Sequence, residues 1–454
     1  MNMLRVLLSI AVFVTSAYVG NSNEFIHPFS ATIIGGISDT QEISSEVDLF
    51  SEAGFSGTYY IEVLPFHTYK KWVESDDENP FADLDELIEI LNQKSVSLTV
   101  TLCPSKVGED GVVSESLPKG KEMDSYLEYV AKVVNRYKKS VTVWQIGTSL
   151  SPRVWKDTPE NYAKLLVKTV SRIRESLVSA KIALADMPIS KTDGDSIGFF
   201  TKFLRALPEG TWFEYVVANA VGELSHPDEN MHQELLLWDE NIRTLLGGFG
   251  YDGVSFMAKI NTYGGVSADL SSGIALVSER EQAFYLLKQY ITAAALGYKQ
   301  IFYTGGVVEK LPTNDDMPKT QESFDSLVFT PEVNDGLSHK KLAFHSAKKM
   351  ISMLSGFDPD KSRVISSKQL FLVCFPKPEG LVYVTWRECC DYDYTITGLS
   401  GKRAKVTYAL PRFTTGDEVG DFDNAFESFE QKVSRGILSL RLTDSPVFIE
   451  LYEE

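Results

Sequence analysis

Between about residue 25 and residue 356, short β-branched runs alternate with longer amphipathic stretches, and past residue 356 the helical period disappears. Strands that alternate with helices form parallel sheets, because each parallel pairing needs a crossover. The strands are read at Ile33–Gly36, Gly57–Val63, Val96–Leu102, Val141–Ile146, Lys181–Ala185, Trp212–Ala218, Val254–Ile260 and Gln300–Tyr303. Between them lie helical patterns over Leu84–Leu91, Met123–Tyr137, Thr158–Leu177 and Glu279–Leu296. In Met123–Tyr137 the apolar residues Tyr126, Val130, Val133, Val134 and Tyr137 fall on one helical face. Thr158 followed by Pro159 is an N-cap and first-turn pair. Eight such units predict a (β/α)8 barrel, a TIM barrel, over residues 22–356.

The tail is different. Gln369–Phe375, Leu381–Trp386, Tyr394–Thr397, Ala404–Tyr408, Ile437–Leu442 and Val447–Leu451 are short strands divided by turn residues. They predict an antiparallel β-sandwich over residues 357–454, joined near Ser355–Pro359. At the other end, Arg5, the apolar run Val6–Val14 and the small residues Ser16, Ala17 and Gly20 read as a signal peptide over residues 1–21, with an uncleaved N-terminal anchor as the alternative. Secretion is the corresponding expectation. No later run is long and apolar enough to span a bilayer.

The charge balance bounds the partners. Lys+Arg 44 against Asp+Glu 62 gives −18, which argues against nucleic acid and anionic membrane. Of the four cysteines, Cys374, Cys389 and Cys390 share the β-rich tail, so one bridge there is open beside free thiols. No His stands at ligand spacing from Cys103 or the others, so neither a metal nor a cofactor is expected. His67, His226, His232, His339 and His345 show no catalytic spacing either.

Two strands carry the functional reading. Residues 141–149 read Val-Thr-Val-Trp-Gln-Ile-Gly-Thr-Ser, and residues 254–261 read Val-Ser-Phe-Met-Ala-Lys-Ile-Asn. They resemble the strands of retaining glycoside hydrolase barrels that end Trp-x-Ile-Gly-Asn-Glu and Trp-x-Thr-Glu-x-Gly. The chain is similar to the β-xylosidase and α-iduronidase-like members of that large clan. Thr158-Pro159-Glu160-Asn161-Tyr162-Ala163, Glu279–Ala283, Asp335-Gly336 with Lys341–Phe344, Val382–Trp386 and Ser445–Glu450 extend the resemblance in the expected order.

The resemblance implies an acid/base at the end of the fourth strand and a nucleophile on the seventh. Those slots hold Ser149, preceded by Thr148, and Lys259. Retention needs two carboxyl groups, ~5–5.5 Å apart. Ser140–Lys156 and Gly253–Ala268 contain no Asp or Glu, so a shifted register supplies none. Asn219 stands where the family has a substrate-contacting His, and Tyr59 where an Arg is common. Trp144 and Tyr303 have two readings, a wall of the sugar site or packing. Glu62 and Glu309, near strand ends, are the replacement carboxylates if hydrolysis persists.

The leading expectation is a secreted, catalytically silent relative with a binding or structural role, which reuses the cleft for an oligosaccharide, another glycan or a protein. Its substrate-binding candidates are Trp144, Thr148, Ser149, Asn219, Lys259, Tyr303, Glu62 and Glu309. The rivals are an active glycosidase with unorthodox carboxylates and a secreted interaction protein that does not use the cleft. Lys259 adds the expectation of acidic or neutral polar ligands.

Overall fold

The computed structural model describes residues 28–33, 40–55, 58–61, 79, 81–102, 104–107, 113–189, 195–221, 231–264, 277–306, 325–329, 339–366, 370–388 and 392–453. Residues 1–21, read from the sequence as a signal peptide, lie outside them.

Among the described residues, eight parallel strands alternate with eight helices. They are β1 Phe29–Ile33, α1 Thr40–Glu52, β2 Thr58–Ile61, α2 Ala82–Gln93, β3 Ser97–Leu102, α3 Lys121–Tyr137, β4 Val141–Ser149 and α4 Pro159–Ser176. There follow β5 Lys181–Pro188, α5 Ser196–Ala206, β6 Tyr215–Val221, α6 Met231–Gly248, β7 Ser255–Asn261, α7 Glu279–Ala295, β8 Gln300–Tyr303 and α8 Leu342–Leu354. The strands close into a barrel in the order β1-β8-β7-β6-β5-β4-β3-β2. β1 pairs with both β2 and β8, so no strand edge is left in this sheet.

Strand periodicity divides the side chains into two layers. Val143, Ala183, Val217, Met257 and Phe302 pack with one another inside the barrel. The intervening positions, such as the register row Val100, Trp144 and Ile182, face the helices. The apolar stripe read on Met123–Tyr137 is the buried face of α3. At α4 the Thr158 side chain accepts a hydrogen bond from the Asn161 amide at 3.2 Å, as its position before Pro159 implies.

The tail forms β9 Arg363–Ser366, β10 Leu370–Lys377, β11 Gly380–Arg387, β12 Tyr392–Thr397, β13 Arg403–Pro411, β14 Phe426–Lys432, β15 Ile437–Leu442 and β16 Val447–Tyr452. Six of them make one sheet in the order β9-β10-β11-β16-β13-β14, and β12 pairs with β15. All these pairings are antiparallel. One face of the larger sheet meets the smaller through Leu372, Val406 and Ile449 against Ile396, Leu438 and Leu440. Its other face, with Phe371, Val373, Phe375, Val384, Trp386 and Phe448, joins the core of the barrel helices. α7 is therefore buried on nearly every side, and its amphipathic signal is correspondingly weak.

Two carboxylates stitch the tail to the barrel at α7. Glu388 accepts hydrogen bonds from His232 Nε2 at 2.7 Å, Lys288 Nζ at 2.8 Å and Trp386 Nε1 at 2.6 Å. Burial works to raise its carboxyl, but the bonds from His232 and Lys288 outweigh it and hold the group at about 2. Glu279 accepts the amides of Leu342 and Gly416, each at 2.8 Å, and meets His339 Nε2 at 3.1 Å.

Several boundaries differ from the sequence reading. β1 begins at Phe29 rather than Ile33, and β6 spans Tyr215–Val221 rather than Trp212–Ala218. The edge strands β9 and β14 carried too few apolar residues to be recognised; most of β14 is exposed. Cys374 is a free thiol, pushed up by burial, while Cys103, Cys389 and Cys390 lie outside the described residues.

Candidate functional site

The C-terminal ends of β4, β5, β6 and β7 are neighbours in the barrel. Barrel enzymes work at this face because its loops diverge and its strand ends converge. Here Ser149 pairs in register with Asp186, and Asn219 with Lys259. Both expected slots and the Asn219 position therefore belong to one strand-end group.

At its centre Lys259 Nζ lies 2.7 Å from Asp186 Oδ2. Asp186 Oδ1 accepts a second bond from Gln145 Nε2 at 2.9 Å. Lys259 and Asp186 are each only 4 % exposed. Removing both charges from water is costly, and the pair survives because each charge neutralises the other. The lysine therefore offers no free positive charge to a ligand. The expectation that it would favour acidic ligands loses its physical basis.

The end of β4 is shaped by a break in its ladder. The β4–β5 register shifts between Ile146 and Ser149. Tyr162, from α4, spans the gap: its hydroxyl donates to the Ile146 carbonyl and accepts the Ala185 amide, each at 2.8 Å. This gives a physical reason for the tyrosine in the Thr158–Ala163 motif. Gly147 turns the strand with φ +82°, and a Cβ there would meet Glu115 Oε2 and Ala185 Cβ at 3.2 Å.

Glu115 lies in a hairpin of strands 105–107 and 113–115 that follows β3. Its buried carboxylate accepts the Thr148 amide at 3.1 Å and the Thr148 hydroxyl at 2.6 Å. Its backbone amide bonds to the Val154 carbonyl, and its carbonyl accepts the Lys156 amide. The hairpin is thus tied to the segment that follows β4.

The expected site residues separate into three groups. Thr148, Ser149, Asn219 and Lys259 lie together at the mouth. Ser149 is 8 % exposed, and its Oγ accepts the Ser151 amide at 3.2 Å. Trp144 and Tyr303 do not join them. Both are fully buried in the layer between barrel and helices. The Tyr303 hydroxyl donates to the Asp325 carbonyl, and its ring stacks with Phe55. These aromatic rings are packing residues, with no face available to a sugar. Glu62 and Glu309 lie outside the described residues.

Three mouth residues were absent from the sequence reading: Gln145, Asp186 and Glu115. The alternation within β4 carries the signal for Gln145, since inward Val143 makes 145 inward and 144 outward. Asp186 directly follows the run read as the fifth strand, Lys181–Ala185, and the strand continues to Pro188. Glu115 had no local signal.

Asp186 is neutralised by its lysine, and both of its oxygens accept hydrogen bonds. Ser149 has no imidazole or carboxylate against its hydroxyl in the contacts described. Among the described residues, no group of three or more His, Cys, Asp or Glu side chains could hold a metal ion. Nor is any described helix long and apolar enough to cross a membrane.

No protein-family model matches the sequence. No curated protein matches it either. Similarity appears in the backbone. A family 39 glycoside hydrolase from Bacteroides cellulosilyticus superposes with TM-score 0.62 at 12 % identity, over 94 % of this chain and 81 % of that one. An α-L-arabinofuranosidase from Thermotoga maritima, solved as an arabinose complex, gives 0.58 at 10 % identity, over 94 % and 96 %. BuGH86, in complex with neoagarooctaose, gives 0.58 at 10 % identity, over 95 % and 76 %. The fold is that of glycoside hydrolases built from a TIM barrel and a β-sandwich.

Proposed function

We propose that this chain is a secreted, non-hydrolytic glycoside-hydrolase-like protein that binds a glycan at the mouth of its barrel. The division into a signal peptide over 1–21, a barrel over 22–356 and a sandwich over 357–454 belongs to the same reading. The observation that carries it is the buried Lys259–Asp186 pair. A lysine occupies the nucleophile slot, and the nearby carboxylate is engaged by it. Retaining hydrolysis needs a carboxylate free to form a glycosyl ester and a second to donate and recover a proton. Ser149 in the acid/base slot has no such proton to give near neutral pH.

The binding half of the reading draws on the polar mouth and on the neighbours. Two of these neighbours were solved with bound sugars, arabinose in one and neoagarooctaose in the other. Because Lys259 is internally neutralised, the ligand favoured is a neutral polar oligosaccharide. Isothermal calorimetry against neutral and acidic oligosaccharide panels tests this, with Asn219→Ala as the mouth variant. Binding of a neutral glycan, weakened at least tenfold by Asn219→Ala, is the expected outcome. Binding unaffected by Asn219→Ala, or none at all, would move the working surface away from the cleft.

A further inference from the structure

The geometry points to Asp186 as a cation-binding site at the floor of the barrel mouth, occupied in the native protein by the side chain of Lys259 as a tethered ligand. The site would take protonated amines once the lysine is removed, including basic sugar mimics. Three observations carry this. The Asp186 carboxylate is delivered by β5, whereas Lys259 projects from β7, so the ammonium reaches across the intervening β6 to its anion. Asp186 is held from its other side by Gln145 Nε2 at 2.9 Å, which fixes the carboxylate independently of the lysine. Gln145 is itself anchored through the Gly147 carbonyl at 3.1 Å.

An ammonium already sits in this site, so its capacity to hold a cation is seen directly. The site is also nearly closed to water, where an ion pair of this kind gains most from Coulomb attraction. Its occupation from within explains how a barrel of this shape can lack an anionic floor without lacking a carboxylate. The inference rests on the glycan reading only where it names a sugar-like cation; the simple amine arm below stands without it.

The test is chemical rescue. Lys259→Ala deletes a propylammonium-shaped group, leaving space beside a buried charge. Thermal midpoints would be measured with propylammonium chloride, and with sodium chloride at equal ionic strength, for four proteins. These are the native chain, Lys259→Ala, Asp186→Asn and Lys259→Ala/Asp186→Asn. The expected result is a rise of several degrees with the amine in Lys259→Ala alone. No rise in that variant, or an equal rise in the double variant, would overturn the site.

Should Lys259→Ala not fold unaided, it is refolded with and without propylammonium. Soluble, cooperative protein only with the amine supports the site, and aggregation in both conditions overturns it. A second arm titrates Lys259→Ala with 1-deoxynojirimycin and its uncharged lactam. Preference for the charged form, lost in the double variant, supports the site as part of a sugar cleft. An amine response without an iminosugar response keeps the cation site and counts against the glycan reading.

Discussion

Gly147 sets the direction of β4 just before the two slots where the family chemistry would stand. Its φ of +82° is reached without penalty only by glycine, and the space beside it is filled by Glu115 and Ala185. Gly147→Ala should therefore destabilise the fold by about 1–3 kcal/mol, measured by urea unfolding. An unchanged midpoint would mean that the turn relaxes freely. His345 offers a test by pH. Burial, with Lys340 and Lys348 nearby, lowers its imidazole to about 4. A folded value below the unfolded one, about 6.5, means that stability is complete above pH 6.5 and declines as pH falls toward 4. His345→Gln should flatten that part of the pH profile. Residue identities also show what the sequence could and could not disclose. Ser149 and Lys259 were legible because their strands have a recognisable pattern. Their partners were not. Asp186 meets Lys259 across the intervening strand β6, a pairing of distant segments, and Glu115 reaches Thr148 through a hairpin with no sequence signature.

Among the elements, the cap before α4 and the joints along α7 make separate predictions. Thr158→Ala removes a single acceptor at the start of α4 and should cost about 1 kcal/mol by chemical denaturation. Glu388→Gln does more, because it leaves Lys288, 2 % exposed, without its carboxylate. A loss of about 3 kcal/mol is expected. The native Glu388 carboxyl lies at about 2, below its ordinary 4.5, so its contribution is present above pH 4.5 and lost as pH falls toward 2. Glu388→Gln should remove that acid limb from a plot of thermal midpoint against pH; an unchanged limb would assign it to other carboxylates. The elements themselves were legible where the period was strong, as in α3 and β3. α7 was legible by its length rather than by its period, since it is buried on nearly all sides. β9 and β14 were not, because an edge strand exposed to water needs little apolar alternation.

For the whole molecule, the barrel and the C-terminal sheets share one apolar core. Phe357, just past α8, packs against Phe29 of β1 and Phe375 of β10, with ring centroids 6.2 and 5.0 Å apart. A chain ended after Gly356 would expose the tail-facing sides of α7 and α8. It should be insoluble or melt without cooperativity, whereas the full chain should give coincident transitions by fluorescence and far-UV circular dichroism. The strand–helix alternation made this architecture readable, but the merging of the two cores depends on contacts between distant segments. The proposal of a non-hydrolytic protein turns on the mouth, where a lysine and an aspartate neutralise each other. Its most direct measurement is turnover of a broad panel of activated aryl glycosides by the native protein, alongside Asp186→Asn and Glu115→Gln. Release of the aryl group at the buffer rate by all three proteins is the predicted result. Hydrolysis by the native chain that disappears in either variant would contradict the account and make that carboxylate catalytic.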